Sequence, residues 1–139
     1  MSKITGGCLC GAVRYHADAE PLRVVICHCT NCQKQSGTCF SLNVAIPADA
    51  LQLAGETIDY SDRGESGSQV LRRFCGSCGS PLVSEMEASP DVAIIKAGTL
   101  DDTSWLVPEA QIWCGSAQPW VPLDPALPRF EKGFGTKQL

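Results

Sequence analysis

Nine cysteines fall in a chain of 139 residues, and seven of them sit in three tight clusters. The clusters are Cys8-Leu9-Cys10, Cys27-His28-Cys29-Thr30-Asn31-Cys32 and Cys75-Gly76-Ser77-Cys78. Cysteines two or three positions apart make strained disulfides but good joint ligands for one metal ion. The count is odd, and the N-terminus lacks the basic-then-apolar pattern of a secretory leader, so a disulfide-stapled secreted domain is disfavoured. The expectation is a zinc protein of the cytosol, with thiols kept reduced and held by metal.

How the clusters pair follows from local geometry. If Cys8 and Cys10 lie in a strand, their sulfurs face the same side. Cys75 and Cys78 bracket a Gly-Ser pair and are followed by Gly79, a tight knuckle whose backbone N–H groups can point at sulfur. Two such pairs, distant in sequence, supply four thiolates and close one structural zinc site. The middle cluster offers Cys27, Cys29 and Cys32 without an obvious fourth partner, the pattern of a catalytic zinc with one open position. Cys39 or His28 could complete that tetrahedron instead. His28 lies between two ligands that share a face, so its ring is expected to point away, toward core or solvent. Spacing also permits Cys8 and Cys10 to join the middle cluster, which would leave Cys75 and Cys78 in need of two other ligands. Cys39 and Cys114 have no cysteine at metal-ligand spacing and read as small buried hydrophobes.

Three thiolates on a dication make a weak Lewis acid, better suited to a fourth sulfur than to activating water. Coordination deprotonates an incoming thiol near neutral pH while leaving it nucleophilic. The chemistry that follows is making or breaking a bond between carbon and a thiol sulfur. No glycine-rich phosphate loop or Ser/His/Asp arrangement competes for the role. The net charge is -4, with no basic patch, which argues against a nucleic-acid partner. Seven thiolates and two zinc ions would make the chain more acidic still. An anionic thiol would need local cations, and Lys34, Arg72 and Arg73 are the nearest in sequence, although each could equally be a solvated surface charge.

The rest of the chain reads as one all-β domain of several small antiparallel sheets. Alternation or β-branched content marks strands at Ala12 to His16, Leu22 to Cys27, Phe40 to Ile46, Thr57 to Tyr60, Ser68 to Phe74, Pro81 to Ser84, Val92 to Ala97 and Ala110 to Trp113. Asp62-Arg63-Gly64 signals a turn. A short helix is expected over Thr30 to Gln35, ended by Gly37, and a helical turn around Asp101 to Trp105. The longest apolar run, near Leu22 to Cys27, is too short to span a bilayer, so no membrane role is expected. From Pro119 onward four prolines predict an extended surface tail over 119–139.

The three cysteine motifs in series, Cys8-Leu9-Cys10-Gly11-Ala12-Val13-Arg14-Tyr15, Cys27-His28-Cys29-Thr30-Asn31-Cys32 and Phe74-Cys75-Gly76-Ser77-Cys78-Gly79-Ser80-Pro81-Leu82, closely resemble those of the glutathione-dependent formaldehyde-activating enzyme family. The similarity spans about residues 6 to 120. It implies a zinc-stabilised fold with Cys8, Cys10, Cys75 and Cys78 on structural zinc. Cys27, Cys29 and Cys32 would hold the catalytic zinc. It further implies glutathione as co-substrate and its condensation with formaldehyde to S-hydroxymethylglutathione, a carbon–sulfur lyase reaction run in reverse. Members often carry a histidine before the late aromatic and a basic residue after the late serine; here those places hold Gln111 and Ala117. A zinc-stabilised binding or carrier module without turnover is the competing reading of the same site.

Overall fold

The computed structural model describes residues 2–139. Strands β1 (Lys3–Gly7), β2 (Arg14–Asp18) and β5 (Leu51–Ala54) form a three-stranded antiparallel sheet in the order β1-β2-β5. The remaining strands are β3 (Arg23–Cys27), β4 (Ser41–Pro47), β6 (Thr57–Arg63), β7 (Gln69–Cys75), β8 (Pro81–Met86), β9 (Ser89–Lys96) and β10 (Ala110–Ile112). They form one seven-stranded sheet in the order β10-β3-β4-β9-β8-β7-β6. The all-β expectation holds, but one sheet is large, and β10 pairs with β3 in parallel. Periodicity left β1 and β5 unmarked, since β1 ends in two glycines and β5 is only four residues long.

The large sheet has two different faces. Val44, Ile46, Ala93 and Ile95 are at most 1% exposed and join Ile4, Tyr15 and Ala17 of the small sheet in the main core. Burying each of the Val and Ile side chains contributes about 1.5–3 kcal/mol. Residues one step out of phase face the other way. Register sets Val25 opposite Asn43 and Asn43 opposite Lys96; one step along, Ala45 lies opposite Ile94, Ile94 opposite Ser84 and Ser84 opposite Arg72. Directly opposed residues share a face, so this second face carries polar and cationic groups as well as aliphatic ones.

A short helix, α1 (Thr30–Ser36), follows β3 directly. Its N-cap is Cys29, whose Sγ accepts from the Cys32 N–H at 3.1 Å. Its C-cap is Gly37 at φ 71°, a left-handed turn that glycine adopts without strain. The tip of the β6–β7 hairpin folds onto the start of α1. There Glu65 accepts from the Thr30 N–H at 2.7 Å and from its hydroxyl, and the Asn31 side chain donates to Asp62 at 3.0 Å. That hairpin turns at Gly64 to Ser68, a residue or two beyond the Asp62-Arg63-Gly64 signal.

Where a helical turn is expected around Asp101 to Trp105 there is a single turn, closed by the Leu106 N–H on the Thr103 carbonyl at 3.2 Å, and upstream of it a 3-10 turn forms at Ala97–Thr99. It is anchored by Tyr15 Oη on Thr99 Oγ1 at 2.8 Å and by the Arg14–Asp101 ion pair. The segment from Pro119 is less extended than its prolines suggest. It turns repeatedly and bridges Arg129 to Gln111 and Gln138 to Phe130, adding to the β10 edge. Among the described residues no helix is long and apolar enough to cross a membrane.

Candidate metal centres

Cys8 and Cys10 do not lie in a strand. They sit in the turn that joins β1 to β2, where the Gly11 N–H donates to the Cys8 carbonyl at 3.2 Å. The sulfurs therefore meet across a tight turn, 3.6 Å apart, rather than along one strand face. Cys75 ends β7, and Cys78 lies in the connection to β8. There Gly79 at φ 79° lets its N–H return to the Cys75 carbonyl at 2.8 Å. Cys10 Sγ lies 3.8 Å from Cys75 Sγ, and all four sulfurs fall within 4.8 Å of one another.

Backbone N–H groups point at this cluster: Val13 at 3.2 Å from Cys8 Sγ and Ser77 at 3.4 Å from Cys75 Sγ. The Ser80 hydroxyl accepts from the Leu9 N–H and sits 3.2 Å from Cys78 Sγ. That hydroxyl, with the Ser80 N–H, pulls the Cys78 thiol down to about 5. Four thiolates around a zinc ion at about 2.3 Å stand about 3.8 Å apart along each tetrahedral edge. The observed separations of 3.6 and 3.8 Å match that spacing.

The second cluster comes from one stretch of chain. Cys27 ends β3, Cys29 caps α1 and Cys32 lies in its first turn, so the strand-to-helix corner brings three sulfurs within 4.8 Å. All three are at most 7% exposed. Hydrogen bonds with Cys29 and Cys32, with burial, push the Cys27 thiol well up. Cys27 and Cys29 in turn pull Cys32 down to about 2, with smaller help from the Lys96 and Arg72 charges. A corner of this kind, with one thiolate already favoured, fits a soft dication.

The surroundings of the two clusters differ. Cys27, Cys29 and Cys32 all open on a cavity of about 430 Å³ over the second face of the large sheet, whereas none of the other four cysteines reaches it. Gly64 to Ser66 of the hairpin tip, Trp113 and Phe134 are part of its lining. Among the described residues Trp113 is the one non-glycine with positive φ, at 57°. That conformation is uncommon for a bulky side chain and persists only where neighbours hold it. Here the Trp113 N–H donates to Lys132, and its carbonyl accepts from the Ser116 N–H and hydroxyl.

Several residues fall where the sequence placed them and others do not. His28 turns away from the thiols into the core, 1% exposed, with Nε2 3.1 Å from Gln111 Oε1 and its ring tilted against Phe40. Register explains it, since His28 follows Cys27 on the opposite face. Gln111 is thereby committed to His28 and to the Asp124 carbonyl, and Ala117 also lies off the cavity. Cys114 is buried and Cys39 half-buried, and neither joins a cluster. Of the three cations singled out in the sequence, Lys34 is exposed and Arg73 pairs with Glu85 at 3.2 Å; only Arg72 lines the cavity, bound to Asp62 at 3.0 Å.

Lys96 was not foreseen. It is 6% exposed, and its Nζ donates to Ser41 Oγ at 2.9 Å and, at 3.4 Å, to Asn43 Oδ1. Burial lowers its pKa, while the charges of Cys32, Cys27 and Cys29 oppose that shift. The signal was available, because Lys96 is in phase with Val92 and Ile94 on β9.

The model of the glutathione-dependent formaldehyde-activating enzyme (GFA) family matches residues 3–116, which includes both clusters. The chain belongs to that family. A solved structure of a Rhodobacter sphaeroides protein shares the fold, with a TM-score of 0.57 at 19% identity over 75% of this chain and 97% of that one.

Proposed function

We propose that the protein is a zinc-dependent carbon–sulfur lyase-type enzyme that adds a small thiol to formaldehyde or a related aldehyde, or releases the two from their adduct. The family's name supplies glutathione and formaldehyde as the reference pair. The observation that carries the reading is that three buried thiols converge beside a cavity while four others converge away from it. In this reading Cys8, Cys10, Cys75 and Cys78 hold a structural zinc, and Cys27, Cys29 and Cys32 hold a second. Bound there, the second ion supplies a position at which an incoming thiol loses its proton yet stays nucleophilic.

The chain's own groups do the rest. Lys96 sets a buried positive charge near three negative sulfurs, which lowers the cost of keeping them ionised away from water. The Cys32 N–H fixes Cys29 Sγ, so the helix cap and the ligand are one group. The hairpin tip, Trp113 and Phe134 line the cavity on which these sulfurs open. We place this chemistry in the cytosol, with no nucleic-acid or membrane partner.

Metal analysis combined with X-ray absorption, with and without added thiol, tests the proposal. Two zinc ions per chain are expected, one with four protein sulfurs. The other should gain a sulfur when thiol is added. A second zinc with a full set of protein ligands, unchanged by thiol, would sink the enzyme reading and leave a binding module.

A further inference from the structure

One amide on the cavity wall is satisfied at its acceptor and not at its donor. Asn43 of β4 is half-buried and lines the cavity, with Val25 opposite it on one side and Lys96 on the other. Its Oδ1 accepts from Ser41 Oγ at 2.6 Å and from Lys96 Nζ at 3.4 Å, and Lys96 Nζ also donates to Ser41 Oγ at 2.9 Å. An ammonium carries protons and no lone pair, so every bond in this triangle has a fixed sense. Ser41 receives from Lys96 and donates to Asn43; the reverse amide orientation would set N–H groups against the ammonium. The triangle is shielded from water, Ser41 being 4% and Lys96 6% exposed.

With Oδ1 taken up on the buried side, Asn43 Nδ2 has no acceptor among the described residues and stays accessible from the cavity. Polarisation of the amide oxygen by a buried cation strengthens the N–H groups as donors. Position says what they meet. Cys27 lies opposite Ser41, two residues from Asn43, so Cys27 and Asn43 are diagonal neighbours on this face. Such neighbours stand roughly 7–8 Å apart, which leaves room for one small group between the sulfur and the amide. In the addition of a thiol to an aldehyde, the carbonyl oxygen is one atom beyond the carbon that sulfur attacks. The nearest oxygen of a cysteinyl thiol itself lies several bonds further off.

We infer that Asn43 is a catalytic residue of the addition, its Nδ2 donating to the aldehyde oxygen and stabilising the negative charge that gathers there. Lys96 and Ser41 are positioning residues that hold the amide in that sense. The inference rests on the thiol-addition reading above and adds the group that meets the aldehyde. The S–H proton leaves to solvent on binding, the sulfur lone pair forms the C–S bond, and the carbonyl π pair moves to oxygen. That oxygen then takes a proton from water, so Asn43 lends a hydrogen bond and loses nothing.

The test compares the zinc-loaded wild type with Asn43→Ala and Asn43→Asp, using glutathione and formaldehyde as probes. The aspartate keeps the acceptor for Ser41 and Lys96 but has no N–H. Exchange NMR with labelled formaldehyde should show kcat falling about 100-fold in both variants, as for loss of one oxyanion donor. Calorimetric affinity of Asn43→Ala for glutathione should not change. Ser41→Ala should lower kcat by less, and Ser41→Thr, which keeps the hydroxyl, should restore it. In isotope-labelled wild type, the Asn43 side-chain amide resonance should shift with glutathione and formaldehyde together and hold still with glutathione alone. An equal shift with glutathione alone, or full kcat in both Asn43 variants, overturns the inference while glutathione binding and turnover leave the thiol-addition reading standing. If the wild type neither binds glutathione nor turns over, that reading falls and the inference falls with it.

Discussion

The two cysteine clusters use the same side chain for opposite ends, and the contrast lies in sequence separation. Cys10 and Cys75 are 65 positions apart, so fixing their sulfurs 3.8 Å from each other closes a long loop. Cys27, Cys29 and Cys32 lie within one strand-to-helix corner and close almost nothing. By the relation used for covalent cross-links, a loop of the first length is worth about 4 kcal/mol of denatured-state entropy and one of the second about half that. Surroundings follow suit: one cluster is wrapped by turns whose N–H groups face its sulfurs, the other lines a cavity. A thiol cluster that ties distant chain together has its surface taken up by the tying, and one that ties nothing is free to face a substrate.

The sharpest way to break this comparison is to remove one sulfur from each. Cys75→Ser should unfold the chain, since apparent structural-zinc affinities in small domains run to about 10–16 kcal/mol, as much as a domain's whole stability. Thermal melts with near-ultraviolet circular dichroism would read it. Cys32→Ser should keep the fold yet lose thiol binding and turnover, with the metal count falling from two to one. Equal destabilisation by the two substitutions would erase the distinction drawn here.

Lys96→Met probes the electrostatics of the open cluster more gently. Removing the buried charge should weaken metal binding there by about tenfold, the lower end for outer-shell partners of a metal site. Competition with a chelator would measure it, with the four-thiol cluster as internal control. If both clusters lose affinity together, Lys96 acts on the fold and not on the site.

The smallest effect is expected at the Arg14–Asp101 pair, which joins the small sheet to the segment after β9. The Arg14 guanidinium holds the Asp101 carboxyl below its ordinary range. A carboxyl lowered on folding adds stability above its unfolded pKa, and loses it as pH falls through the folded value. Asp101→Asn should therefore flatten the acid side of a melting-temperature profile slightly and leave neutral-pH metal content unchanged. Both groups are nearly half exposed, so solvent screening keeps the change small.

Much of this was legible in the chain itself. Alternation marked most strands of the large sheet, and the favoured grouping of the seven cysteines is the one found, although spacing alone also allowed Cys8 and Cys10 to join the middle cluster. The grouping of Cys8 with Cys10 was right for a reason that was not: a β-turn, with Gly11 returning to Cys8, brings the sulfurs together. Lys34 and Arg73 were named as nearby cations because sequence distance was standing in for spatial distance. Strand phase would have served better, since it puts Lys96 beside Asn43 and turns Arg73 to the opposite face from Arg72.

The sequence by itself determined that seven thiols gather in two sets and that the fold is built of strands, because both depend on neighbours a few residues apart. The tertiary structure alone decided that one set faces a cavity and that Lys96 lies buried near it. Those facts depend on which strands become neighbours, and β3, β4, β9, β8 and β7 reach one face only through the pairing order of the seven-stranded sheet. No local pattern encodes that order; it is set by burying the aliphatic face against the small sheet, and the cavity wall is what remains on the other side.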